Sequence, residues 1–93
     1  MEFEWDAGNE DHIALHDVTP DEAEEALADP HRVRQDAYSV PGEARRGACG
    51  ATQSGRVLYV VFTLRWGRIR VVTARDASER ECRGYRRARR HGR

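Results

Sequence analysis

The chain has 93 residues, 39% hydrophobic and 34% charged, which is enough for one core and too little for two. No window approaches the roughly 18 consecutive apolar residues of a membrane helix, and the opening Met1-Glu2-Phe3-Glu4-Trp5-Asp6 lacks both the basic and the apolar region of a secretory signal. The net charge of zero conceals a division: residues 1–29 hold eleven acids and no Arg or Lys, whereas residues 30–93 hold all sixteen arginines and five acids, −11 against +11.

The expectation is therefore a single domain over residues 1–93, cytoplasmic and without a membrane partner. The charge asymmetry points to nucleic-acid contact. Arginine without any lysine favours planar, bidentate contact with phosphate. Acidic helices packed beside basic strands would account for the same split. Cys49 and Cys82 fall in no Cys-x-x-Cys pattern and are expected to be free thiols.

In chain order, Phe3-Glu4-Trp5 alternates as a short strand does. Asp6 can cap a helix over residues 6–16. Thr19-Pro20-Asp21-Glu22 combines an N-cap, a proline at the first helical position and a capping box, predicting a helix over 20–28 that Asp29-Pro30 ends. Val18 and Ala23 stand where a hydrophobic staple would. Strands are expected at 31–37, 45–53, 56–65 and 68–74, with turns at Ser54-Gly55 and Trp66-Gly67. Val57 to Leu64 is almost wholly apolar and should lie near the sheet centre. Ser78-Glu79-Arg80-Glu81 is a second capping box, opening a helix over 78–90. Its Cys82, Tyr85 and Ala88 recur every three residues toward the sheet, and the arginine-rich end, Arg86 to Arg93, reads as fraying helix or tail. The order β-α-α-β-β-β-β-α describes an α+β fold: a small antiparallel sheet of about four strands with helices on one side.

Two groups of residues carry a resemblance. Phe3-Glu4-Trp5-Asp6, Asn9, His12-Ile13, His16, Val18-Thr19-Pro20 and Glu22-Ala23 resemble the opening of the BrnT toxin family. Arg68 to Ser78, then Glu81 and Tyr85, is similar to that family's closing strand and helix start. The likeness spans residues 3–85. It implies a RelE-like fold, RNA cleavage that inhibits translation, and neutralisation by an antitoxin encoded alongside, a BrnA-like DNA-binding protein. The ribosome is a further implied partner. Two features differ: the first helix carries Glu10 and Asp11 where the family is basic, and Asp17 stands where the family has glycine after its histidine.

The residues themselves offer the chemistry that metal-free RNA cleavage requires: a base for the 2′-hydroxyl, cations for the charged phosphorane and a donor for the leaving oxygen. Arg75 closes the last strand and can stabilise phosphate, or pair with Glu79 or Asp76. Tyr85 can stack a base or donate a proton, or anchor the core. Glu81 can act as a base, or complete the cap of Ser78. His12 and His16, four apart, share one helical face, and histidine titrates near neutrality. Their spacing suits a metal pair, but Cys49 and Cys82 supply no second pair, so neither metal nor cofactor is expected. Arg45, Arg46, Arg65 and Arg70 fit RNA backbone contacts. The alternative function is a non-catalytic nucleic-acid- or protein-binding module on the same fold.

Overall fold

The computed structural model describes residues 2–91; Met1, Gly92 and Arg93, the last two belonging to the expected C-terminal tail, lie outside the described residues. The elements are β1 (Phe3–Glu4), α1 (Ala7–Ala14), α2 (Pro20–Ala28), β2 (Val33–Gln35), β3 (Arg46–Ala51), β4 (Val57–Arg65), β5 (Arg68–Asp76) and α3 (Glu79–Arg90). The α+β class and the element order are those read from the sequence.

Each helix begins on a capping box. Asp6, Thr19 and Ser78 accept from the backbone N–H three residues on, and the side chains of Asn9, Glu22 and Glu81 return the bond. The first helix is shorter than expected. It stops at Ala14 because Leu15–Asp17 form a turn and Asp17 takes a φ of 60°, which no helix continues. His16 therefore lies beyond the helix end.

The sheet order is β1-β5-β4-β3-β2, so the apolar β4 is central as expected. Two expectations are corrected. The sheet has five strands and is mixed, because β1 pairs parallel with β5 through Phe3↔Ile69 and Glu4↔Arg70. A strand of two residues is too short to announce its partner. The helices also occupy both faces. Ile13 of α1, Val18, and Ala23 and Ala26 of α2 pack with Leu58, Val60, Val71 and Ala74. The alternate residues Cys49, Tyr59 and Arg75 are aligned across three strands on the other face. There α3 covers part of the sheet, its Glu81 bonded to Arg75.

Of the expected stripe on α3, Tyr85 is buried and Cys82 half-buried, but Ala88 is exposed. Steps of three residues on a helix of 3.6 per turn drift by roughly 60° each, and two steps carry Ala88 off the sheet. β1 ends after Glu4, which leaves the outer edge of β5 uncovered. The buried Asn9 fills that role: its amide donates to the carbonyls of Glu4 (3.0 Å) and Val71 (3.1 Å). A register shift at Val61/Phe62 leaves Val72 without a partner on β4.

Candidate functional site

Arg75 is the best-defined cation of the sheet face that α3 leaves partly open. Its guanidinium lies 4.4 Å from the centroid of the Tyr59 ring. It donates to both carboxylate oxygens of Glu81, at 2.9 and 3.1 Å, and to the Asp76 carbonyl at 3.0 Å. These bonds occupy three of the five N–H donors that a guanidinium carries. The group is thus held on one side by α3 and on its flat face by Tyr59, with its side chain still 40% exposed. Glu81 serves the cap as well, since its Oε1 also accepts from the Ser78 N–H at 2.8 Å. The residue that closes the capping box thus also bonds both oxygens to Arg75.

Tyr85 is buried, and its hydroxyl donates to Asp29. Asp29 in turn accepts from the backbone N–H groups of Ala51 (2.8 Å) and His31 (2.9 Å). The end of α2, the end of β3 and α3 are tied together at this carboxylate.

His12 and His16 remain neighbours, their ring centroids 6.1 Å apart. Both are exposed, and only His12 lines a cavity of about 510 Å³ with Arg45, Thr63, Arg70 and Thr73. Thr73 shares the Arg75 face two residues along β5, although Arg75, Tyr59 and Glu81 do not themselves line this cavity. The four arginines assigned to RNA contact differ in surroundings. Arg70 pairs with Asp6 (2.9 Å) and Glu4 (3.8 Å), and Arg65 approaches Glu4 at 3.6 Å. Arg45 is bonded to Glu43 at 2.8 Å. Arg46, at the start of β3, is exposed and has no ion pair among the described residues. Cys49 is a buried free thiol, pushed up to about 11 chiefly by burial; Cys82 is half-buried and also free.

A family model described as the ribonuclease toxin BrnT of type II toxin–antitoxin systems matches residues 5–81. The chain belongs to the BrnT family. Membership implies an antitoxin partner. Comparison with curated proteins gives no match. The matched span includes His12, Arg45, Arg70, Arg75 and Glu81 and stops short of Tyr85. No helix among the described residues is long and apolar enough to cross a membrane. Among the same residues no three His, Cys, Asp or Glu side chains converge as metal ligands would.

At Asp17, where the BrnT resemblance led to the expectation of glycine, the φ of 60° lies in the left-handed region that glycine adopts without strain. Aspartate is among the few other residues that tolerate it.

Three residues that hold this BrnT-family fold together carried no separate signal. Tyr59 read only as part of an apolar strand, yet it supplies the ring under Arg75 and donates its hydroxyl to the Asp36 carbonyl at 2.7 Å. Asp29 read only as a helix terminator. Arg56 binds Asp76 (2.7 Å), Glu22 (3.2 Å) and the carbonyls of Asp17 (2.7 Å) and His16 (3.3 Å), pinning the α1–α2 turn to the sheet. Four acids of the N-terminal third, Glu2, Glu4, Asp6 and Glu22, are therefore matched by arginines in or beside the strands.

These contacts set a pH dependence. The Arg75 guanidinium, with help from the Ser78 N–H, holds Glu81 below the usual carboxylate range. The Thr19 N–H and Arg56 do the same for Glu22. Burial pushes the Asp29 carboxyl up, but bonds from Tyr85, Ala51 and His31 outweigh it and the group ends below its ordinary value. The Tyr85 hydroxyl is pushed up to about 12, by burial first and Asp29 second. A carboxyl depressed in the folded state stabilises the fold above its unfolded value and loses that contribution as pH falls through the folded one. Urea midpoints should therefore be flat near neutrality, fall below about pH 4.5, and fall further below 3.8. A midpoint unchanged from pH 7 to pH 3 would contradict these assignments.

Proposed function

We propose that the chain is the ribonuclease toxin of a type II toxin–antitoxin pair, that it cuts RNA through the 2′-hydroxyl without a metal, and that it arrests translation in the cytoplasm as a single toxin domain. The observation that carries the reading is Arg75: a guanidinium fixed by Glu81 and Tyr59 on an open sheet face, with donors to spare, inside a chain of the BrnT family.

In-line attack by the 2′-hydroxyl on the adjacent phosphorus concentrates negative charge on the phosphate oxygens. A cation oriented in advance stabilises that charge without reorganising at the moment of reaction. Arg75 supplies it. Glu81 acts as a positioning residue: its carboxylate is occupied by Arg75 and by the cap, and a carboxylate held this low is a weak base. His12 is the acid–base group, since it lines the cavity that reaches Thr73 on the Arg75 face and its ring makes no hydrogen bond to another described residue. His16 stands behind it as the second member of the pair. Tyr85 contributes by anchoring α3, and so the Glu81 that α3 carries. Arg45, Arg46, Arg65 and Arg70 provide the phosphate contacts along the strand.

Production of the chain should arrest growth, and co-production of the neighbouring gene product should relieve the arrest. The purified chain should melt at a higher temperature with that partner, because a ligand of the folded state alone stabilises by mass action. Growth unaffected by the chain, together with no thermal shift from any neighbouring gene product, would replace the toxin by the non-catalytic binding module.

A further inference from the structure

The largest cavity described, about 830 Å³, is lined with arginines and plays no part in the Arg75 site. Arg32, Arg34, Arg45 and Arg46 surround it, against a single acid, Asp36. Its position follows from register. Arg34 pairs with Ala48, and Arg46 with Phe62, on the side of the sheet where Val60 packs against the core. The cleft therefore lies on the face of α1 and α2, past the end of α2 at Pro30, and the Arg75 cluster lies on the opposite face.

Two features set this cleft apart from the paired arginines of the sheet. Where Arg56, Arg70 and Arg75 are neutralised by carboxylates, Arg34 and Arg46 make no side-chain hydrogen bond or ion pair among the described residues, and Arg32 donates only to the Asp29 carbonyl. Guanidinium charge left unmatched by carboxylates is available to an anion, and here it is gathered around one cavity. The lining also includes Phe62, Ala48 and Pro30, and the half-buried Phe62 offers a platform for a base. Arg45 lines both this cleft and the His12 cavity. The two cavities thus meet at Arg45, just before β3.

We propose that the Arg32/Arg34/Arg46 cleft binds the backbone of single-stranded RNA beyond the cut site, so that one strand passes from this cleft around Arg45 to the Arg75 face. The proposal rests on the ribonuclease reading for what happens at Arg75, but binding in the cleft is separable from cleavage. Guanidinium forks beside an aromatic ring match a phosphodiester strand with stacked bases; an acidic peptide would use the charge and leave Phe62 without a partner.

The test uses the full chain and a 2′-O-methylated single-stranded RNA, which cannot be cut through its 2′-hydroxyl. The triple variant Arg32→Ala/Arg34→Ala/Arg46→Ala should bind it about tenfold or more weakly, and the slope of log affinity against log salt should shrink by about 2, or roughly 0.7 per phosphate contact. Its melting temperature should stay near wild type. If the triple variant loses its fold, Arg34→Ala alone, which removes no recorded bond, should shrink the slope by about 0.7. Unchanged affinity and slope in a wild type that cuts ordinary RNA would overturn the cleft and leave the enzyme standing. Cleft-dependent binding in a wild type that cuts no RNA would keep the cleft and overturn the ribonuclease. A variant that binds RNA normally but no longer gains stability from the neighbouring gene product would assign the cleft to an acidic protein segment and overturn the RNA proposal.

Discussion

Gly50→Ala should cost the protein at least about 3 kcal/mol, the upper part of the range for overpacking a core. A β-carbon at Gly50 would fall 2.0 Å from the carbonyl oxygen of Ala26 and 2.9 Å from its carbonyl carbon. The obstacle is helix backbone, which cannot swing aside as a side chain can. α2 is held from both ends, by the Thr19 capping box at its start and by Asp29 bonded to Ala51 and Tyr85 at its finish. Moving it away would also open the packing of Ala23 and Ala26 on Leu58 and Val60. At roughly 4–8 °C per kcal/mol for a chain of this size, the melting temperature should drop by more than about 12 °C. Gly84→Ala is the matched control. Nothing lies within 4 Å of a β-carbon there, and alanine in a helix is better than glycine by about 1 kcal/mol, so the melting temperature should rise. Equal effects of the two changes would mean that α2 does not seat on β3 as described.

Arg75→Ala should reduce RNA cleavage by about 10²–10³-fold while leaving the fold in place. The asymmetry follows from magnitudes. The pair with Glu81 is partly exposed, and such pairs contribute under about 1 kcal/mol to stability. The contact with Tyr59 adds about as much. A preorganised donor facing developing charge is worth about 3–4 kcal/mol of barrier. Arg75→Lys should not restore activity, because an ammonium cannot hold both Glu81 oxygens and still present a planar fork to phosphate. Glu81→Gln keeps a capping residue but loses the charge pair, so it should lower activity less than Arg75→Ala does. Melting curves run beside the cleavage assay separate the roles: activity lost with the fold retained supports Arg75 at the phosphate, and both lost together makes Arg75 structural.

What the sequence disclosed was local, and what it withheld was long-range. Thr19-Pro20-Asp21-Glu22 and Ser78-Glu79-Arg80-Glu81 set their helix starts within a few residues, because a capping box is chemistry completed inside one turn. Val57 to Leu64 was legible as the central strand because only burial on both faces tolerates such a run. The parallel partner of Phe3–Glu4 was not, since two residues carry no periodicity and the pairing reaches across to Ile69 and Arg70. Nor was the face that α3 would choose, which depends on Tyr85 reaching Asp29. The site divides in the same way. Arg75 and Glu81 could be named because they flank a strand end and a cap. Tyr59 beneath Arg75, and Arg32 and Arg34 beside Arg46, needed the strand register that brings β2, β3, β4 and β5 together.

The most direct test of the central claim is cleavage of a single-stranded RNA by the purified chain in excess chelator, compared with the same strand carrying a 2′-deoxy group at the cut position. Attack by the 2′-hydroxyl requires that group and leaves a 2′,3′-cyclic phosphate beside a free 5′-hydroxyl. Cutting with those ends is expected in the presence of chelator, with none at the deoxy position and none by Arg75→Ala. Cutting that needs a divalent cation or ignores the 2′-deoxy group, or no cutting with or without ribosomes, would contradict it.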